Sequence, residues 1–175
     1  MQSIVVALDE PHRERIEEAA GEIKAVSGRK DLAAATHPHF TLHVADRYED
    51  AIDAALARIA GSTQSFPFET GRVGVFRGPR VVIALEVTRT EALLKFQEHV
   101  AEAVAPLAAD ARPAYAPDTW APHIRIISGV IEEQHIDAIM AVLARRDFTW
   151  RPLLSNVCLV PAPRAPTWTR YDLRP

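Results

Sequence analysis

Two short segments of the chain follow one pattern, and this repetition constrains the fold more than any other feature. Pro38-His39-Phe40-Thr41-Leu42 recurs, in pattern, as Pro122-His123-Ile124-Arg125-Ile126. Each copy reads Pro-His-apolar-polar-apolar, a short strand with its histidine and polar residue on one face. Thirteen prolines and seven histidines in 175 residues predict about 0.5 Pro-His pairs by chance, and about 0.1 once the apolar neighbours are required. Pro11-His12 runs on into Arg13-Glu14-Arg15 and lacks the pattern. Two histidines offered by two similar half-structures are what acid–base chemistry across one cleft requires.

The elements around the two segments repeat as well. Ser3 to Leu8 reads as a buried strand, and Ile16, Ala19, Ala20 and Ile23 then recur at helical spacing, predicting a helix from about Pro11 to Val26. Ser27-Gly28 ends it. The first Pro-His strand continues to Val44, and Ile52, Ala55, Leu56 and Ile59 mark a second helix. Phe66 to Phe76 and Val81 to Val87 predict two strands about a hairpin turn, Arg77-Gly78-Pro79-Arg80. Thr88 and Glu91 fit a capping box for a helix carrying Leu93, Phe96, Val100 and Val104, with Pro106 limiting its extent. After a loop over 108–118 comes the second Pro-His strand. Ile136, Ile139, Met140 and Leu143 mark a fourth helix, followed by strands at Leu153 to Val160 and Thr167 to Leu173. Split near Thr88, each half holds a helix, a Pro-His strand, a second helix and a closing strand pair. The expectation is an α+β protein. Residues 1–175 form a single domain of two pseudo-symmetric lobes, with antiparallel sheets flanked by helices and a central groove.

Composition narrows the function. A net charge of −3 argues against a generally basic, nucleic-acid-coating surface but allows a locally basic cleft. The only cysteine, Cys158, rules out an internal disulfide and a thiol-only metal cage, and reads as a small buried hydrophobe. The apolar run Ile4 to Leu8 stops at Asp9 without a basic leader, so neither a signal peptide nor a membrane span is expected, and the default setting is cytoplasmic.

Strand alternation pairs His39 with Thr41 and His123 with Arg125, opposite Phe40, Leu42, Val44, Ile124 and Ile126. Facing imidazoles titrate near neutral pH and can divide the work, one accepting a proton and the other donating one. Thr41 and Arg125 can hold phosphate oxygens. Such a set suits phosphodiester cleavage, in which a nucleophile loses a proton and a leaving oxygen gains one. A lone strand histidine is more often structural; the paired context, together with the family resemblance given next, reverses that weighting for these two. Thr41 by itself is an ordinary strand residue. A metal reading is raised by His37, His39 and His43, which fall on one face of an unbroken strand. His37 and His39 could converge on one ion, but His43 starts roughly 13 Å from His37 along the strand and no other third ligand is evident, so no metal or cofactor is expected. Phe76 and Trp120 read as core, though either could flank the groove. Arg77, Arg80 and Arg164 read as solvated turn residues that could touch a nucleotide tail.

At these residues the chain resembles the 2H phosphoesterase superfamily, in its 2′-5′ RNA ligase-like, RNA 2′,3′-cyclic phosphodiesterase branch. That family carries two His-x-Thr/Ser-x motifs, one per lobe of a pseudo-symmetric α+β fold. His39-Phe40-Thr41-Leu42 matches fully, and His123-Ile124-Arg125-Ile126 departs only at Arg125. Trp120-Ala121-Pro122, Val73-Gly74-Val75-Phe76 and the closing Trp168-Thr169-Arg170-Tyr171-Asp172-Leu173 are also similar. The resemblance implies catalytic His39 and His123, substrate-binding Thr41 and Arg125, and RNA ends or cyclic nucleotides as substrate, hydrolysed or reversibly ligated without a metal. A catalytically impaired nucleotide- or RNA-end-binding protein of the same fold is the alternative, because one motif is altered. A structural domain with incidental histidines is the third reading.

Overall fold

A computed structural model describes residues 1–162 and 167–175; Arg164 lies outside the described residues. In chain order the strands are β1 (Gln2–Ala7), β2 (Ala33–Ala34), β3 (His39–Ala45), β4 (Arg47–Tyr48), β5 (Phe66–Pro67) and β6 (Thr70–Phe76), then β7 (Val81–Val87), β8 (Ala108–Ala109), β9 (His123–Gly129), β10 (Leu153–Leu154), β11 (Asn156–Val160) and β12 (Thr169–Asp172). The helices are α1 (His12–Ser27), α2 (Ile52–Ser62), α3 (Glu91–Val104) and α4 (Glu133–Leu143). α1 stops at Gly28, whose φ of 66° is the left-handed cap that glycine adopts without a Cβ clash.

Two four-stranded antiparallel sheets carry the molecule, in the orders β12-β11-β1-β3 and β2-β9-β7-β6. Helices α2 and α3 pack on the first sheet, α1 packs on the second and against α4, and β3 and β9 meet where the sheets adjoin. The fold is thus α+β with two similar lobes. The lobes are interleaved, however. The hairpin β6–β7 from the first half builds the sheet of the second Pro-His strand, while β11–β12 from the second half completes the sheet of the first. One apolar cluster runs through both sheets and all four helices.

On its β11 side the end of β1 is held by a side chain in place of a ladder. Asn156, fully buried, accepts from Ala7 N at 3.0 Å and donates Nδ2 to Ala7 O at 3.0 Å. Ala7 lies opposite His39 in the register, so this amide steadies the strand beside the first histidine.

The cap of α3 differs from expectation. Thr90 is the N-cap, extended at ψ 156° and accepting from Leu93 N, whereas Thr88 N still bonds Glu69 O as an extension of the sheet. Cys158 is 2% exposed and burial pushes its thiol up to about 11, the behaviour of a packed hydrophobe.

Candidate active site

Both Pro-His strands carry a β-bulge at the same motif position. In the first, Val5 opposes Thr41 and Ile4 opposes His43, so Leu42 is the extra residue. In the second, Ala84 opposes Arg125 and Ile83 opposes Ile127, so Ile126 is the extra residue. A bulge shifts the alternation by one. Along the regular strand β1, Val5 and Ser3 share one face, and they place Thr41 and Val44 there. Ile4 and Val6 take the other face, and they place His43 with Phe40 and the core.

This corrects the face read for His37, His39 and His43. His43 points away from the other two, is 6% exposed, and shares a 2.6 Å hydrogen bond with Tyr48 Oη. Val44 likewise sits on the face of His39 instead of opposite it. Among the described residues no three His, Cys, Asp or Glu side chains are grouped to hold a metal ion.

The two histidines are set in the same way. His39 Nδ1 donates to His37 O at 2.6 Å, and His123 Nδ1 donates to Ala121 O at 2.9 Å. Each acceptor lies two residues upstream, across a buried proline that offers no N–H to compete for it. The proline's own carbonyl is taken by the neighbouring strand, from Leu8 N at 2.9 Å and Val87 N at 3.1 Å. A carbonyl only accepts, so each Nδ1 carries the proton and each Nε2 is left for a ligand.

Both imidazoles keep partial solvent access. An aromatic ring flanks each: Trp168 at 5.0 Å from His39, edge-on, and Phe76 at 4.9 Å from His123. Phe76 is 39% exposed, so it is the flanking residue of the two aromatics considered, and Trp120, at 1%, is core. Thr41 shares the face of His39 and is half-buried; Arg125 is exposed and shares the face of His123 on the neighbouring sheet. Desolvation pushes the His39 pKa below the ordinary histidine value. The bond to His37 O opposes this, and the nearby charges of Arg125, His37 and His123 add to the depression. The four predicted residues therefore belong to one region.

The second lobe adds groups absent from the first. Glu86 lies opposite His123, where Ala7 lies opposite His39, and it pairs with Arg72 at 3.4 Å. A Cβ at Gly74 would meet Glu86 Oε1 at 3.2 Å and the Phe76 ring at 3.3 Å, so glycine lets both side chains close over the strand. Arg77 pairs with Glu133 at 2.5 Å. Surface cavities of about 380 and 570 Å³ border the segment 146–149 and are lined by none of the four site residues.

Burial pushes His12 and His43 down, as it does His39. The unfolded chain keeps the ordinary value near 6.5, so below that pH it binds more protons than the folded chain. Stability is complete above about pH 6.5 and is lost as the pH falls through the depressed folded values. The melting temperature should drop between pH 7.5 and pH 5.5 in calorimetry; a flat profile there would contradict the burial of these imidazoles.

Residues 8–163 match the family described as the 2′-5′ RNA ligase superfamily. Three solved structures share the fold. TT0787 of Thermus thermophilus has a TM-score of 0.68 at 18% identity, over 99% of this chain and 97% of that one. E. coli LigT, complexed with 3′-AMP, scores 0.57 at 18% identity over 99% of both chains. Kluyveromyces marxianus Usb1 scores 0.56 at 11% identity over 98% and 97%. No curated protein matches the chain in sequence. Among the described residues no helix is long and apolar enough to cross a membrane.

Proposed function

We propose that this chain, which belongs to the 2′-5′ RNA ligase superfamily of 2H phosphoesterases, cleaves or reversibly forms a 2′,3′-cyclic or 2′-5′ phosphodiester at RNA ends or on nucleotides in the cytoplasm. The observation that carries the reading is the matched setting of His39 and His123. Both imidazoles are locked through Nδ1 to a carbonyl two residues upstream, with Nε2 left for chemistry.

His39, with its pKa held low, starts neutral and takes the proton of the attacking water or hydroxyl on Nε2. His123 donates its Nε2 proton to the leaving oxygen as the P–O bond breaks. Thr41 and Arg125 hold the phosphoryl oxygens, Arg125 against the charge that builds in the transition state. Phe76 and Trp168 offer flat faces to the bases on either side. That LigT is seen with 3′-AMP supports a nucleotide end as the ligand.

The test is turnover of a 2′,3′-cyclic nucleotide and of cyclic-phosphate-ended RNA by the purified protein, with chelator present. Turnover that survives chelation is expected, because neither proton transfer needs a Lewis acid. Activity abolished by chelator and restored by zinc or magnesium would overturn the metal-free mechanism. Arg125 in place of Thr or Ser favours one second reading, a protein that binds such ends without turning them over. Saturable binding without product formation would select it.

A further inference from the structure

β3 is the edge strand of its sheet and is bulged at Leu42, and side chains bond the carbonyls that no neighbouring strand reaches. Trp120 Nε1 donates to Thr41 O at 2.7 Å, and Gln97 Nε2 donates to Leu42 O at 3.2 Å and to Tyr115 O at 3.0 Å. In the second motif the carbonyl of the extra residue needs no side chain, because Ala35 N reaches Ile126 O at 3.3 Å. Trp120 is 1% exposed, its ring lies against Phe40 at 6.4 Å, and its backbone N–H is held by Ala116 O at 2.9 Å. It also begins the segment that delivers the other histidine. The next residue, Ala121, provides the carbonyl that fixes His123 Nδ1.

We infer that Trp120 is a positioning residue that sets the separation of His39 and His123, its indole N–H tying the bulged backbone of one motif to the lead-in of the other. A ring serving only as core filler would place a phenyl group as well as an indole. Here the N–H meets the carbonyl of a phosphate-holding residue, and the bond spans the junction of the two sheets. A tie of this kind matters because proton transfer to and from one phosphoryl group tolerates little error in where the two imidazoles stand. The inference rests on the proposed two-histidine chemistry for its kinetic readout, and on the charge of His123 reaching His39 for its second readout.

The test compares Trp120→Phe with Val142→Ala, a destabilising buried change on α4, the helix that packs against α1. Both are assayed below their melting temperatures. Trp120→Phe should lower kcat on cyclic-phosphate RNA roughly 10–100-fold, the scale of a misplacement near 1 Å, with KM held within about twofold. The second readout needs no turnover: the rise in the His39 pKa caused by His123→Ala, followed by NMR. This coupling should fall to less than about half in the Trp120→Phe background and stay unchanged in the Val142→Ala background. If Trp120→Phe fails to fold, benzothienylalanine at position 120 keeps the ring shape and removes only the N–H. The inference is overturned if kcat and coupling both survive loss of the N–H, or if Val142→Ala lowers kcat as much. A wild type with no turnover defeats the proposed function alone, and the coupling then decides the role of Trp120.

Discussion

Replacing His39 or His123 with alanine should lower turnover of cyclic-phosphate-ended RNA by roughly 10²–10⁴-fold, or about 3–5 kcal/mol of barrier, while the chain stays folded. Folding should survive because the strands are held by other means. Phe40 and Ile124 beside the histidines are fully buried, the prolines bond across the sheet through their carbonyls, and Asn156 grips Ala7. In the proposed chemistry the imidazoles contribute Nε2, and each variant removes one proton-transfer partner. The double variant should be little worse than the poorer single one, because groups that act in one step are not additive. His39→Ala should also abolish the acidic limb of the pH–rate profile, since His39 must be neutral to accept a proton. Turnover within a factor of about three of wild type in either folded variant would rule out that histidine as a proton-transfer group.

Most of the secondary structure was legible because it follows from apolar spacing. Ile16, Ala19, Ala20 and Ile23 mark α1, and Leu93, Phe96, Val100 and Val104 mark α3; all eight are buried as read. The hairpin of β6 and β7 about residues 77–80 also follows from its turn chemistry. Exchange of strand pairs between lobes was not legible. Both arrangements bury the same faces, and local pattern does not say which sheet a hairpin joins. The cap was misplaced by two residues because Thr88 and Thr90 are both capping types, and only the continuation of the sheet through Thr88 decides between them.

In the site, the paired motif brought out His39, Thr41, His123 and Arg125, but the bulges stayed hidden. One extra residue leaves composition untouched while turning every following side chain over, which is why plain alternation puts His43 and Val44 on the wrong faces. Gln97 left a usable signal, a polar residue in the apolar row of α3, where a buried amide must find partners. Trp168 left a weaker one, as part of the closing strand segment. Glu86 left none, because its place opposite His123 depends on register alone.

Arg125 is where this chain departs from the motif, and it should act twice. If it holds the phosphoryl group, Arg125→Ala should weaken substrate binding about 10–100-fold, the equivalent of about 1.5–3 kcal/mol for a charged hydrogen bond. It also depresses His39, because a fixed positive charge nearby disfavours a second one. Losing it should therefore raise the His39 pKa and move the acidic limb of the pH–rate profile to higher pH. A residue that merely packs would move neither binding nor that limb. Arg125→Thr restores the second motif to Thr, so it should shift the same limb while preserving or raising turnover on cyclic-phosphate RNA. A folded Arg125→Thr variant that gains activity beside an inactive wild type would instead select the end-binding reading, with the guanidinium blocking the step its neighbours are built to perform. Unchanged kinetics and an unchanged pH profile in Arg125→Ala would remove Arg125 from the site altogether.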